Sequence, residues 1–249
     1  YLRRQTYMSG HSKWKNIMHK KEKTDSQRAK VFTKIGREII LAVKEGGPDP
    51  ASNSKLKDLI AKAKDNNVPN DNIDRVIKKA SGAENSDNFE EITYEGYGPC
   101  GIAVIVECLT DNRNRTAGNL RHYFDKNGGN LGQNGSVGWM FTKKGVIVID
   151  KEEYDEDRLM ETVMEAPIED FVTEESVYEI YTAPDEDFRT TRDFLRDKDY
   201  TFISAEEEQV PSSYSSIDSE EAKDKMQRLL DMLEDDDDVQ NVYHNWDEE

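Results

Sequence analysis

The segment at residues 8–21, MSGHSKWKNIMHKK, combines one tryptophan with lysines and histidines and contains no Asp or Glu. This combination suits a polyanion, because the Trp14 indole can stack on an unpaired base while Lys13 and Lys15 hold phosphates. Trp14 could instead pack on the middle domain, and the whole segment could be a targeting peptide or an expression remnant. As a nucleic-acid-binding arm, the segment supplies these candidate site residues: His11, Lys13, Trp14, Lys15, His19, Lys20 and Lys21.

A second group of cations is predicted on the first helix. TDSQ at 24–27 forms a capping box, and Gly46-Gly47-Pro48 ends the helix that follows. One predicted face is apolar, with Val31, Phe32, Ile35, Ile39 and Val43, and the opposite side carries Lys30, Lys34, Arg37 and Lys44. Such a face is usually solvated, but this helix follows a basic arm. Lys30, Lys34 and Arg37 are therefore also candidates for phosphate contact.

The third candidate is the loop TDNRNRT at 110–116, which lies between an apolar strand and the next helix. Arg113 and Arg115 project from an Asn-rich turn, where guanidinium groups can bind phosphate in a bidentate manner or stack on RNA bases. The alternative is a well-capped loop between strand and helix with no ligand.

Charge is distributed very unevenly along the 249 residues, whose formal net charge is -18. Residues 1–80 hold 19 Lys+Arg against 9 Asp+Glu, whereas residues 151–249 hold 9 against 34. This asymmetry favours a protein whose basic end meets a polyanion while the acidic end stays solvated or contacts a basic protein. The tract EDDDD at 234–238 is expected to be a solvated helix end.

The other motifs with chemical potential are weak. GYGPCG at 96–101 matches GxGxxG but precedes a strand, and GGNLGQNGSVG at 128–138 lacks the lysine and helix of a P-loop. The second motif is expected to be a long turn or, secondarily, a backbone surface for phosphate. Cys100 and Cys108 are expected to be reduced thiols without zinc, and none of the four histidines has an evident nucleophile or base beside it. We therefore predict no catalytic residue, no metal, no cofactor and no small-molecule substrate.

The pattern of elements predicts an α+β fold. Three helices, at about 25–46, 53–66 and 72–80, are followed by strands in FEEITYEGYG, GIAVIVECLT and SVGWMF, and then by a β-α-β-β-α-β succession typical of a ferredoxin-like unit. A last helix and the strand VQNVYHN can complete the preceding half-unit, which predicts two ferredoxin-like α+β domains, the third domain being inserted into the second. The predicted boundaries are 1–7 for an upstream extension or expression remnant, 8–82 for the basic helical domain with its arm, 83–141 plus 213–249 for the discontinuous domain, and 142–212 for the acidic one.

Several of these motifs together resemble the YebC/PmpR family. They are GHSKWKNIMHKK, RAKVFTKIGREI, VPNDNIDRVIKKASG, YEGYGPCGIAVIVECLTDNRNRT, NGGNLGQNGSVGWMF and DVQNVYHN, in order from Met8 to about Asn245. The resemblance implies a three-domain regulator of gene expression, cytoplasmic or mitochondrial, without known catalytic activity. Members have been described as DNA-binding transcriptional regulators and as ribosome-associated translation factors that assist synthesis of proline-rich stretches. Cys100 stands where a glycine is more usual, and EAPIEDF replaces an expected EAGAEDV.

We therefore predict a cytoplasmic, monomeric, non-enzymatic factor that binds ribosomal RNA and has no membrane partner, since no apolar run approaches the roughly 18 residues of a membrane helix. The alternative is a transcriptional regulator that binds duplex DNA. Helices two and three could form a helix-turn-helix with Arg75, Lys78 and Lys79 on the recognition helix. NNVPND looks long for that turn, and Asp71 and Asp74 near the helix start would repel phosphate.

Overall fold

The computed structural model describes residues 25–82 and 88–247, with side chains in the first helix from Ala29 onward. The described chain forms two compact units. The first contains residues 25–82, 88–136 and 218–242, and the second contains 137–217 and 243–247. Each unit has its own sheet. The helices and strands are numbered below in chain order within the described residues.

The first unit begins with three helices: α1 (Asp25–Gly46), α2 (Ser54–Asp65) and α3 (Asn70–Ser81). Their apolar faces bury one core that includes Ile35, Ile39, Leu56 and Ile73. Asn53 joins α1 to α2, because its amide donates to the carbonyls of Ala42 and Gly47 (both 2.8 Å) while its Oδ1 accepts from Leu56 N (3.0 Å). These contacts satisfy backbone groups at a helix end and a helix start that would otherwise lack partners.

The same unit continues with a four-stranded sheet and two helices. In chain order they are β1 (Glu90–Tyr97), β2 (Ala103–Thr110), α4 (Arg113–Lys126), β3 (Asn130–Leu131), α7 (Glu220–Asp235) and β9 (Val239–His244). The strand order is β3-β1-β2-β9, and β1 pairs with β2 in an antiparallel register that opposes Glu90 to Thr110. Seven of the eight β2 residues are buried, as expected of a strand covered on both faces. Burial also raises the pKa of the Cys108 thiol, which keeps it protonated.

The second unit has the β-α-β-β-α-β succession. It comprises β4 (Phe141–Asp150), α5 (Glu156–Val163), β5 (Asp170–Thr173), β6 (Val177–Thr182), α6 (Glu186–Asp197) and β7 (Ser204–Pro211). All neighbours are antiparallel in the order β5-β6-β4-β7, which is the ferredoxin-like arrangement. The helices cover one face of the sheet with Leu159, Val163 and Leu195. Two short strands, β8 (Ser215–Ser216) and β10 (Trp246–Asp247), pair separately.

The predicted α+β class, with a helical region preceding sheet-containing units, is confirmed. The sheet of the first unit is reached by a β-β-α-β-α-β succession, whereas the ferredoxin-like succession occurs in the second unit. The predicted strand at SVGWMF is wrong, because Gly138–Met140 is a single 3-10 turn and β4 begins at Phe141. The domain boundaries given above stay predictions.

Cys100 lies in the turn between β1 and β2 with φ of 57°. This left-handed conformation carries little cost for glycine and some strain for other residues. The structure thus gives a physical reason why a glycine would be more usual at this position.

Candidate nucleic-acid interface

The turn between β2 and α4 fixes where Arg113 and Arg115 stand. Asn112 is the N-cap of α4, and its side chain accepts a hydrogen bond from Arg115 N (3.0 Å). Thr110 Oγ1 accepts in turn from Asn112 N (2.9 Å). The helix therefore begins at Arg113, with Arg115 two residues further on. Since two residues correspond to about 200° around a helix, the two side chains leave on nearly opposite sides.

The Arg115 side chain is partly exposed to solvent and also binds two carboxylates. Its NH2 donates to both carboxylate oxygens of Asp238 (2.8 and 3.0 Å) and to Asp111 Oδ1 (2.8 Å). Arg37 NH1, from the middle of α1, donates to the same Asp238 carboxylate (2.8 Å). One buried carboxylate thereby joins α1 to the start of α4 across a separation of more than 70 residues in sequence.

Asp238 has hydroxyl partners as well as cations. Thr116 Oγ1 lies 2.8 Å and Thr110 Oγ1 lies 3.3 Å from Asp238 Oδ2. Burial would raise the pKa of this carboxyl. Hydrogen bonds from Arg115, Thr116 and Arg37 outweigh burial and hold that pKa below its ordinary value. We call Arg37, Arg115, Thr116 and Asp238 the carboxylate node.

The rest of the acidic tract also contacts the basic face of α1. Lys30 Nζ lies 2.5 Å from Asp235 Oδ1, and Lys34 Nζ donates to the carbonyl of Glu234 (2.8 Å). Arg37 additionally donates to the Asp237 carbonyl (2.6 Å). The tract 234–238 is the predicted helix end, and Glu234, Asp235 and Asp237 are exposed, but Asp236 is half-buried and Asp238 is buried. These cations lie near the C-terminus of α7, which is the negative end of the helix dipole. Acidic side chains are unfavourable there, and the cations offset this unfavourable charge.

A polar cleft of about 490 Å³ lies between α1, the start of α4 and the acidic tract. Three cations and five carboxylates line it, so it offers no surface of a single sign. At its side, Asp236 Oδ2 accepts from Tyr123 OH (3.0 Å) and Asn119 Nδ2 (3.2 Å). Burial and this carboxylate raise the pKa of Tyr123 to about 12.

Arg113 has a different environment from Arg115. Its side chain is exposed and forms no ion pair with any residue that the structure describes. Only its backbone carbonyl is engaged, by Tyr94 OH at 3.2 Å. The predicted group Lys30, Lys34, Arg37, Arg113 and Arg115 is thus divided, since four members contact the acidic tract and Arg113 does not. The remaining candidates lie outside the described residues: His11, Lys13, Trp14, Lys15, His19, Lys20 and Lys21.

The residues that sequence analysis missed are the carboxylates of the acidic tract. The signal available was charge complementarity between EDDDD and a helix face with cations at positions 30, 34 and 37. The Gly-rich segment at 128–138, predicted as a long turn, contains turns but also the short strand β3. Glu95 Oε1 accepts from Gly135 N (2.7 Å), which places a carboxylate where a bound phosphate would need a donor.

The connection between α2 and α3 is shorter than NNVPND suggested. It contains residues 66–69 only, because Asn70 and Asp71 already belong to α3. Four residues fit the usual length of a helix-turn-helix connection. Arg75 and Lys78 on α3 are exposed and have no ion-pair partner within residues 25–82 and 88–247, although Arg75 donates to Asn72 (2.8 Å).

Two family models match this chain. The model described as the TACO1/YebC protein N-terminal domain matches residues 12–83, and that described as the TACO1/YebC second and third domain matches residues 89–246. The chain belongs to the TACO1/YebC family. This agrees with the resemblance seen in the sequence motifs.

Curated TACO1/YebC relatives are close in length and sequence. A probable transcriptional regulatory protein of Caldicellulosiruptor bescii is 59% identical over 243 residues, covering 97% of this chain and 99% of the relative. One from Finegoldia magna is 56% identical over 242 residues, covering 97% and 100%. The crystal structure of a conserved hypothetical protein from Aquifex aeolicus has a TM-score of 0.84 and 43% identity, covering 94% of this chain and 96% of that one. Within the described residues, no helix is long and apolar enough to cross a membrane.

Proposed function

We propose that this protein is a non-enzymatic, nucleic-acid-binding regulator of gene expression that acts as a ribosome-associated translation factor. The observation that carries the proposal is Arg113, an exposed guanidinium held at the first turn of α4 by a capped loop and without a carboxylate partner among the described residues. The basic composition of residues 1–80 supports binding to a nucleic acid, and the names of the relatives support a regulator of gene expression without favouring the ribosome.

The mechanism in this proposal is positional. The arm at 8–21 and Arg113 contact ribosomal RNA, and the bound protein favours productive geometry of the reacting groups in the ribosome during difficult, proline-rich synthesis. Lys30 and Lys34 can join the contact only by exchanging Asp235 and the Glu234 carbonyl for phosphate. We therefore assign the main anchor to the arm and Arg113, and a secondary role to the face of α1.

Sedimentation with purified ribosomes through a sucrose cushion at physiological salt, with excess duplex DNA as competitor, tests the proposal. We expect the protein to pellet with ribosomes regardless of DNA. A double variant Lys13→Glu/Lys15→Glu should lose most of this binding, whereas Lys30→Glu/Lys34→Glu should lose less. Protein that stays in the supernatant, or that follows the DNA, contradicts the ribosome assignment.

A DNA-binding transcriptional regulator is the second candidate. The four-residue connection between α2 and α3 and the exposed Arg75 and Lys78 favour it, as do the names of the relatives. Exposed Asp71 and Asp74 near the start of α3 oppose it, because base edges are usually contacted from that end of a recognition helix. Sequence-selective binding to duplex DNA at physiological salt, lost in Arg75→Ala, is the result that would establish this candidate. Non-selective binding at low salt would not.

A further inference from the structure

The basic face of α1 is already occupied by oxygen acceptors from the same chain. Lys30, Lys34 and Arg37 lie within about 60° of one another around the helix. Each of them donates to an oxygen of the acidic tract, residues 234–238, at the end of α7. The structure thus shows directly what this face binds, namely carboxylate and carbonyl oxygens that converge on it from one side.

The contacts between α1 and the acidic tract differ in how easily an outside anion could replace them. Asp238 beneath Arg37 is buried, whereas Asp235 is exposed and its partner Lys30 is half-buried. Exposed ion pairs contribute little to stability, because water competes for both partners. An incoming phosphate can therefore replace Asp235 at Lys30 at small cost, while the carboxylate node keeps the tract in place.

The exchange requires only side-chain rotation. Lys34 donates to the carbonyl of Glu234, and Glu234 is exposed. The last carbonyls of a helix have no partner within the helix, and water can satisfy them when a side chain leaves. A lysine ammonium on its flexible stem binds carboxylate or phosphate oxygens alike. Both lysines can thus turn from the tract to a phosphate without a change in the backbone.

We propose that the acidic tract is an intramolecular competitor of RNA, in which Asp235 occupies Lys30 in the way a phosphate of bound RNA would. The proposal rests on the function proposed above and describes how its secondary site is regulated. Ribosomal RNA that is already held by the arm and Arg113 has a high effective concentration at α1, so it displaces Asp235. A polyanion without those contacts does not, and the tract therefore suppresses non-selective binding.

Neutralising Asp235 tests the competition directly, because Asp235→Asn keeps the size of the side chain and removes its charge. Affinity for purified ribosomal RNA, measured by filter binding at physiological salt, should rise about threefold to fivefold, which is the range that an exposed ion pair allows. The salt dependence should become steeper, since one more phosphate contact forms. The matched control is Asp224→Asn, which removes an exposed acid about 16 Å away along the same helix and should leave the affinity near that of the wild type.

A double variant separates competition at Lys30 from general repulsion. Lys30→Gln alone should change RNA affinity little, because Asp235 occupies this lysine in the wild type. In Lys30→Gln/Asp235→Asn the gain produced by Asp235→Asn should disappear, since the cation that it released is gone. A gain that persists without Lys30 would show that Asp235 repels RNA at a distance, and would overturn the proposal.

Thermal unfolding of the same variants distinguishes competition from a purely structural role. Asp235→Asn loses one exposed ion pair but also removes an acid that the dipole of α7 disfavours. The melting temperature should therefore change by less than about 2 °C. A residue with a structural role only would change stability and leave RNA affinity unchanged.

The outcomes also distinguish this inference from the proposed function. If the wild type binds ribosomal RNA and Asp235→Asn binds it equally well, the tract is not a competitor and the proposed function stands. If neither protein binds ribosomal RNA, both fail. If Asp235→Asn gains affinity for duplex DNA but not for ribosomal RNA, the competition is with DNA and this inference is wrong.

Discussion

Arg113 and Arg115 occur in one seven-residue loop, yet the structure gives them opposite surroundings. Arg115 turns inward to the carboxylate node, where Asp238 also receives Arg37 and Thr116. Arg113 is exposed at the first turn of the same helix and forms no ion pair with any described residue. The comparison teaches that a pair of arginines in a loop is not one functional unit. The start of the helix decides which residue stabilises the fold and which remains available to a ligand.

The ion pairs of the carboxylate node and the Lys30–Asp235 pair also differ in how much solvent weakens them. The Asp238 side chain is 5% exposed and that of Arg37 is 19% exposed, whereas the Lys30–Asp235 pair is 32% and 69% exposed. Coulomb interactions strengthen as water is excluded, and an uncompensated buried charge is costly. We therefore expect substitutions to have a graded effect on stability, largest at Asp238 and smallest at Lys30.

Replacing Asp238 should have the largest effect. Asp238→Ala leaves Arg37 and Arg115 without their shared carboxylate and removes one of the acceptors of the Thr116 hydroxyl, and should lower the free energy of unfolding by about 2–4 kcal/mol. Urea unfolding followed by circular dichroism measures this change. Asp237→Ala is the matched control, because Asp237 is exposed and the node uses only its carbonyl, and it should cost less than about 0.5 kcal/mol. Equal losses of stability in Asp238→Ala and Asp237→Ala would show that the carboxylate node does not stabilise the fold more than an exposed acid does.

The stabilisation by Asp238 should depend on pH in a definite direction. Its pKa is lowered in the folded state, so the stabilisation is complete above the unfolded value of about 3.9 and is lost as the pH falls through the lower folded value. Asp238→Asn cannot titrate at this position. The difference in free energy of unfolding between wild type and Asp238→Asn should therefore be constant near neutrality and shrink below about pH 4. A difference that grows on acidification would contradict the lowered pKa.

The two loop arginines should separate stability from binding. Arg115→Ala should lower the free energy of unfolding by about 1–2 kcal/mol, since Asp238 keeps Arg37 as a partner. Arg113→Ala should change it by less than about 0.5 kcal/mol while weakening sedimentation with ribosomes. Urea unfolding measures the stability of both variants, and sedimentation with ribosomes measures their binding. Loss of ribosome binding in Arg115→Ala alone would reverse the roles assigned here.

Much of the fold could be predicted because its signals are local. The bounds of α1 and α2 agree with those predicted from caps, glycines and apolar spacing, whereas α3 begins two residues before its predicted start. The misassigned strand at SVGWMF has an equally physical cause, since Val137, Trp139 and Phe141 are β-branched or aromatic residues that are enriched in strands and would share one face of a strand. In the structure Val137 and Phe141 are buried while Trp139 is exposed, and Gly138–Met140 is a 3-10 turn. Residue preference alone does not establish strand pairing.

The candidate site was harder to predict because its decisive contacts are distant in sequence. Arg37 and Asp238 lie 201 positions apart, and neither residue reveals its partner. The sequence motif indicates that Arg113 and Arg115 can each bind phosphate, because any guanidinium group can. Which of them already holds a carboxylate depends on where β9 begins beside β2, where Leu109 N donates to the Asp238 carbonyl (2.7 Å).

Replacing Lys30 should have the smallest effect on the free energy of unfolding. Its pair with Asp235 is largely exposed, so Lys30→Gln should lower the free energy of unfolding by less than about 0.5 kcal/mol, and added salt should reduce even that. A double-mutant cycle with Asp235→Asn isolates the coupling energy of the pair. Coupling above about 1 kcal/mol, beyond what exposed ion pairs usually give, would mean that the acidic tract secures α1 at Lys30 as well as at Arg37. Lys30 and Lys34 would then be unable to exchange it for phosphate, and the arm and Arg113 would have to provide the binding alone.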